Sequence, residues 1–105
     1  MARKEIIKKL EQFKGELNKD TPITKMILFG SRAWGKPHKD SDIDLLIVSP
    51  HFRRKKPLYR GLRFYEHWRM NYPVDFLCYT PEEFKKLRKQ ITIVKEAVEK
   101  GIEIK

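Results

Sequence analysis

Asp42 and Asp44 stand on either side of Ile43, at the entrance to the apolar run Leu45-Leu46-Ile47-Val48. Side chains alternate faces along a strand, so both carboxylates point one way and Ile43 the other. Two carboxylates about 4 Å apart repel by roughly 4 kcal/mol at an effective dielectric of about 20. A fold tolerates that most readily with a cation between them. Upstream, Gly30-Ser31 follows the apolar run Met26-Ile27-Leu28-Phe29 and opens a short polar segment. A strand ending at a helix N-terminus presents backbone N–H groups that bind phosphate well. A third carboxylate, Asp75, interrupts the apolar run Val74–Tyr79, where a buried charge without a partner would be costly. Paired carboxylates next to a phosphate seat point to metal-assisted chemistry on a nucleotide.

The elements that must position these groups follow from apolar spacing. Ile6, Leu10, Phe13 and Leu17 predict an amphipathic helix over 2–18. Asp20-Thr21-Pro22 breaks it before a strand near 23–29. Ser31 is placed to cap a short helical turn through Arg32-Ala33-Trp34, closed by Gly35 and Pro37. A polar loop over 36–41 leads into a second strand from Asp42 to Val48, which Ser49-Pro50 stops. Pro57 suits a first helical position, and Leu58, Leu62, Tyr65, Trp68 and Tyr72 predict one helical face running to Pro73. Val74–Tyr79 is the third strand. Thr80-Pro81-Glu82-Glu83 has the form of a capped helix start, and helical spacing continues through Phe84, Leu87, Ile91, Val94 and Val98 to Gly101, as one helix or as two meeting near 90–92. Ile102 to Lys105 can add an edge strand. The order predicts an α/β (α+β) layer fold, a small mixed sheet of three to four strands with flanking helices. If the second strand runs antiparallel to the first, its acidic start lies beside Gly30 and the groups converge.

A chain of 105 residues with 40% hydrophobic content supports one domain, 1–105, with a real core. No apolar stretch approaches the roughly 20 residues that span a bilayer, and the N-terminal residues lack a signal peptide's apolar core, so a cytoplasmic location is expected. Cys78 is the single cysteine, which excludes an internal disulfide and a thiolate-rich zinc site; it reads as a small buried hydrophobe. A net charge of +10 calls for an anionic partner. The run Arg53-Arg54-Lys55-Lys56, followed by Arg60, Arg63 and Arg69, reads either as solvated charge or as an electropositive surface for an acidic partner or RNA. Asp40, His38 and His51 lie in loops, with no ligand role expected for them. Arg60 and His67 fit the Arg-x(4–6)-His spacing of HEPN ribonucleases, a chance match in a chain that is not all helical.

Gly30-Ser31, the ten residues 32–41 and then Asp42-Ile43-Asp44, with Asp75 on a later strand, resemble the DNA polymerase β-type nucleotidyltransferase superfamily. The similarity is closest to its minimal nucleotidyltransferase (MNT) branch and extends over nearly the whole chain. The resemblance implies transfer of NMP from an NTP, usually ATP, to a hydroxyl with release of pyrophosphate. It implies that Asp42 and Asp44 hold two Mg²⁺ ions, that Asp75 ligates the catalytic ion or activates the acceptor, and that Gly30, Ser31 and Arg32 meet the nucleotide's phosphates. All-oxygen ligands independently favour Mg²⁺ over softer metals. Proteins of this branch resemble antitoxins paired with a HEPN-type ribonuclease toxin, some of which add AMP to a toxin tyrosine. Many relatives carry a second arginine where Trp34 stands here. The expected activity is therefore adenylylation of such a partner. Silencing by occlusion, or transfer to RNA or a small molecule, are the alternatives.

Overall fold

Ile6, Leu10, Phe13 and Leu17 are all buried along one side of α1 (Arg3–Asn18), so the predicted apolar stripe is the face that packs. The computed structural model describes residues 2–37 and 41–105; Asp40 and His38 lie outside them. After α1 come β1 (Lys25–Phe29), the single turn α2 (Ser31–Trp34), β2 (Ile43–Val48), β3 (Val74–Tyr79), α3 (Pro81–Leu87), α4 (Ile93–Lys100) and β4 (Ile102–Glu103). The strands form one mixed sheet in the order β3-β2-β1-β4. β2 runs antiparallel to β1 and parallel to β3, so the predicted reversal between the first two strands is present.

Strand alternation divides the core in two. Ile43, Leu45 and Ile47 of β2 join Met26, Leu28 and the α1 stripe on one face, together with Phe52 and Phe64. Leu46 and Val48 join Ile27, Phe29 and the α3–α4 residues Phe84, Val94 and Ala97 on the other. Asp44 and Asp75 share the parity of Leu46 and Leu77, which places both carboxylates on the α3–α4 face. That face is covered only in part, because α3 and α4 are short.

The helix predicted from Pro57 to Tyr72 does not form. Short 3₁₀ turns at Pro57–Tyr59 and Leu62–His67 replace it, and Leu58 and Leu62 of the expected buried face are 81% and 56% exposed. The buried side chains here are Arg60 and Phe64. Two tertiary contacts override the apolar spacing. A Cβ on Gly61 would stand 3.3 Å from Phe76 Cβ and 3.4 Å from Cys78 Sγ, so the backbone lies close against β3 at that point. The Arg60 guanidinium enters the fold and donates to Glu83 Oε1 at 2.6 Å, to the Cys78 carbonyl at 3.2 Å and to the Lys55 carbonyl at 3.3 Å. Arg60 is thus a structural residue and no part of an electropositive surface; Arg53, from the basic run, is paired with Glu82.

The hydrogen bond from Arg60 holds Glu83 below the usual carboxylate range. A depressed carboxylate stabilises the fold above its unfolded value, and that contribution is lost as pH falls through the folded one. Arg60→Ala is expected to cost about 2–3 kcal/mol in denaturant unfolding at pH 7. This is below the roughly 3–5 kcal/mol of a fully buried pair because Glu83 keeps access to water.

The C-terminal helical pattern resolves into two helices. Thr80 and Glu83 form a reciprocal capping box at the start of α3. Thr92 donates its hydroxyl to the Leu87 carbonyl at 2.7 Å and accepts from the Lys95 N–H at 3.2 Å, so it closes one helix and caps the next. Ile91, between them, is fully exposed. Cys78 is partly buried, and burial pushes its thiol up to about 12, leaving it protonated and unreactive. No helix among the described residues is long and apolar enough to cross a membrane.

Candidate active site

The register of three strands brings the acidic groups to the Gly30 corner. Phe29 at the end of β1 is paired with Asp44, and Asp44 with Asp75 across the parallel β2–β3 ladder. Neighbouring strands lie about 4.8 Å apart, so the two aspartates stand side by side on one face. Asp42 precedes β2 by one residue and is exposed. Burial pushes the Asp44 carboxyl above the usual carboxylate range, and the charges of Asp75 and then Asp42 push it further. Asp44 therefore feels the charge of both neighbours.

Gly30 is the hinge of the corner. Its φ of 77° lies in the left-handed region, the only such residue among those described. A Cβ there would fall 2.3 Å from Asp44 Oδ2, so the carboxylate rests directly on the glycine backbone. Gly30, not Ser31, is the N-cap residue of α2; Ser31 is its first helical residue, and no side chain caps the turn. The turn is closed on the corner itself: the Ala33 and Trp34 N–H groups donate to the Gly30 carbonyl at 3.0 and 3.3 Å.

Arg32 is 5% exposed. Its Nε donates to the Ser41 carbonyl at 2.9 Å and its guanidinium lies 4.3 Å from the centroid of the Tyr72 ring. Arg3 in turn donates to the Arg32 carbonyl at 3.0 Å. The structure thus gives Arg32 a positioning role, tying α2 to the residue that precedes Asp42.

Beside the corner opens a cleft of about 410 Å³ that reaches Gly30, Asp44 and Asp75. Trp34, Tyr65, Ile93 and Glu96 form other parts of its wall. Sequence reasoning did not assign Tyr65, Ile93 or Glu96 to the site. Tyr65 reaches it through the 3₁₀ turn that replaced the expected helix, and its hydroxyl donates to the Val74 carbonyl at 3.4 Å. Burial, then Asp75 and Cys78, raise the phenol above its ordinary range. Ile93 and Glu96 arrive on α4, far away in sequence, and no local signal marks them.

Among the described residues no three of His, Cys, Asp and Glu are drawn together as a ready-made metal cage. The donor set nevertheless fits a hard divalent cation. It consists of carboxylate oxygens on one face, and the missing Cβ of Gly30 is what lets the Asp44 carboxylate sit at the corner. Mg²⁺ commonly takes one or two carboxylates and completes its shell with water and substrate phosphates. Such an arrangement can hold a phosphorylated substrate and align its phosphates with an acceptor entering from the cleft.

A family model described as a nucleotidyltransferase domain matches residues 7–100. A crystal structure from Sulfolobus solfataricus, of a protein assigned as a nucleotidyltransferase, superposes with a TM-score of 0.67 at 22% identity, over 96% of this chain and 80% of the other. That likeness concerns the fold. A second structure of a protein so assigned gives a TM-score of 0.47 at 25% identity, over 79% of this chain and 87% of the other. The comparison with curated proteins found no match.

Proposed function

The chain belongs to the nucleotidyltransferase domain family, whose members generally use an NTP and a divalent metal, and from that premise we propose that it transfers AMP from ATP to a protein hydroxyl. The acceptor we favour is a tyrosine of a HEPN-type ribonuclease toxin, which makes this chain the antitoxin of an MNT-type pair. The observation that supports a catalytic site is the register Phe29–Asp44–Asp75, which sets two carboxylates beside a glycine with no room for a side chain.

In this reading Asp42 and Asp44 hold two Mg²⁺ ions, Asp75 completes the ligand set or orients the acceptor hydroxyl, and the Gly30–Ser31 backbone seats the β and γ phosphates. Bound there, the ions supply charge neutralisation at the attacking and leaving oxygens. The acceptor oxygen bonds to the α-phosphorus as the bond to the bridging oxygen breaks. Pyrophosphate leaves, and the hydroxyl proton passes to Asp75 or to water. Arg32 ties Ser41, the residue before Asp42, to α2.

Support for a protein acceptor comes from the surface next to the cleft. Leu58, Leu62 and Tyr65 are exposed and border one shallow pocket, and the exposed cations Arg54, Lys56 and Arg63 belong to the same segment of chain, as does the exposed Glu66. Tyr65 borders both this patch and the cleft. An apolar patch on a predominantly basic segment fits an acidic protein surface.

A second reading, occlusion of the toxin without catalysis, draws on one observation: among the described residues no Lys or Arg lines the cleft. Incubation with α-labelled ATP, Mg²⁺ and the protein encoded by the neighbouring gene separates the readings. Label on that protein's tyrosine, lost in Asp42→Asn plus Asp44→Asn, is the expected result. Inhibition without label, surviving that double substitution, would select occlusion, and label on RNA alone would move the acceptor.

A further inference from the structure

We propose that Lys100 is the cation that meets the terminal phosphates of the bound nucleotide, held ready for them by the Trp34 indole and the Glu96 carboxylate. The proposal rests on the nucleotide-transfer reading above. The described wall of the cleft carries Asp44, Asp75 and Glu96 and no Lys or Arg, although the chain as a whole is strongly basic. Divalent ions matched against these carboxylates leave little positive charge for a triphosphate tail. Arg32 is buried, bonded to the Ser41 carbonyl and stacked on Tyr72. A polyanion seated at the Gly30 corner therefore needs a cation from elsewhere.

Lys100 is placed to supply it. It is the last residue of α4, and Trp34 is the last residue of the turn that begins at the Gly30 corner. The Lys100 ammonium lies 5.2 Å from the centroid of the Trp34 ring and 3.9 Å from Glu96 Oε1. Trp34 and Glu96 both line the cleft, so the ammonium is held at its rim by two members of the wall. At an exposed site both contacts are weak. A charge-assisted bond to phosphate is stronger than either. The ammonium is therefore kept near the cleft yet can be drawn away by an anion. Lys100 also carries a long flexible stem, half or more exposed, which suits a reach across the rim.

Equilibrium binding of ATP, tripolyphosphate and AMP in Mg²⁺ buffer tests this without any turnover. Lys100→Met is expected to weaken ATP and tripolyphosphate by about tenfold and AMP by no more than about twofold, with an unchanged thermal midpoint because the side chain is exposed. Lys100→Arg should retain ATP binding. Trp34→Arg, added to Lys100→Met, should recover part of it by placing a cation on the same wall. Glu96→Gln should tighten ATP, since it removes the competing carboxylate. Equal loss for ATP and AMP, or no loss for either, would overturn the assignment of Lys100 while leaving nucleotide transfer standing. Failure of the unsubstituted chain to bind any of the nucleotides would overturn the transfer reading, and the Lys100 assignment with it.

Discussion

Asparagine in place of Asp44 is expected to reduce nucleotidyl transfer by roughly three powers of ten and to raise the thermal midpoint of the protein. The first effect follows from the role proposed for this carboxylate. Metal-assisted charge stabilisation is worth several kcal/mol in the transition state, and about 1.4 kcal/mol is a factor of ten in rate. The second follows from its surroundings. Burial, Asp75 and Asp42 all raise the Asp44 carboxyl in the folded state. A carboxyl raised on folding gives its full contribution to stability below its unfolded value, and that contribution is lost as pH rises through the folded one. At pH 7 the ionised group is therefore a net cost to the fold. Removing such a site charge commonly stabilises by about 0.5–2 kcal/mol, where 1 kcal/mol corresponds to roughly 4–8 °C in a domain of this size. Calorimetry at pH 7 should show the gain, and the difference between the two proteins should shrink as pH falls toward 4. An asparagine variant less stable than its parent at pH 7 would contradict the crowding of the three carboxylates.

Gly30→Ala should lose both stability and activity, for two separable reasons. The backbone conformation at φ 77° costs a residue with a Cβ about 1–2 kcal/mol. The new Cβ would also fall 2.3 Å from Asp44 Oδ2, so the carboxylate must move away from the corner. A displacement of about 1 Å in a reacting group can cost about 100-fold in rate, and a loss of that order in label transfer is expected. Gly15→Ala is the matched control. Nothing lies within 4 Å of a Cβ built there, inside α1, and alanine should stabilise the helix by up to about 1 kcal/mol. Loss at Gly30 with gain at Gly15, in denaturant unfolding and transfer assays, separates the demand of the corner from a general effect of glycine replacement.

What could be read from the chain was what is decided locally. The α1 stripe, the span of β3 and the Thr80–Glu83 capping box each depend on residues within one or two turns of one another, and the structure shows all three. Asp42, Asp44 and Asp75 could be expected to meet because strand alternation fixes their faces, and the strand register brings Asp44 and Asp75 together. The segment 57–72 failed for the opposite reason. Its apolar spacing is helical, but the close approach of Gly61 to β3 and the pairing of buried Arg60 with Glu83 decide its path, and neither is visible in the spacing. The burial of Arg32 was not legible because Tyr72, on which it stacks, is remote in sequence. Glu96 and Ile93 entered the cleft wall only once α4 had folded back beside β1.

The site itself is most directly tested by Mn²⁺ titrated in substoichiometric amounts into isotope-labelled protein with ATP, read as paramagnetic broadening of backbone amides. The amides of Gly30, Ser31, Ile43, Asp44 and Asp75 are expected to broaden first, and Asp42→Asn plus Asp44→Asn should abolish the effect. Broadening centred elsewhere, with these amides spared, would contradict a nucleotide–metal site at the Gly30 corner.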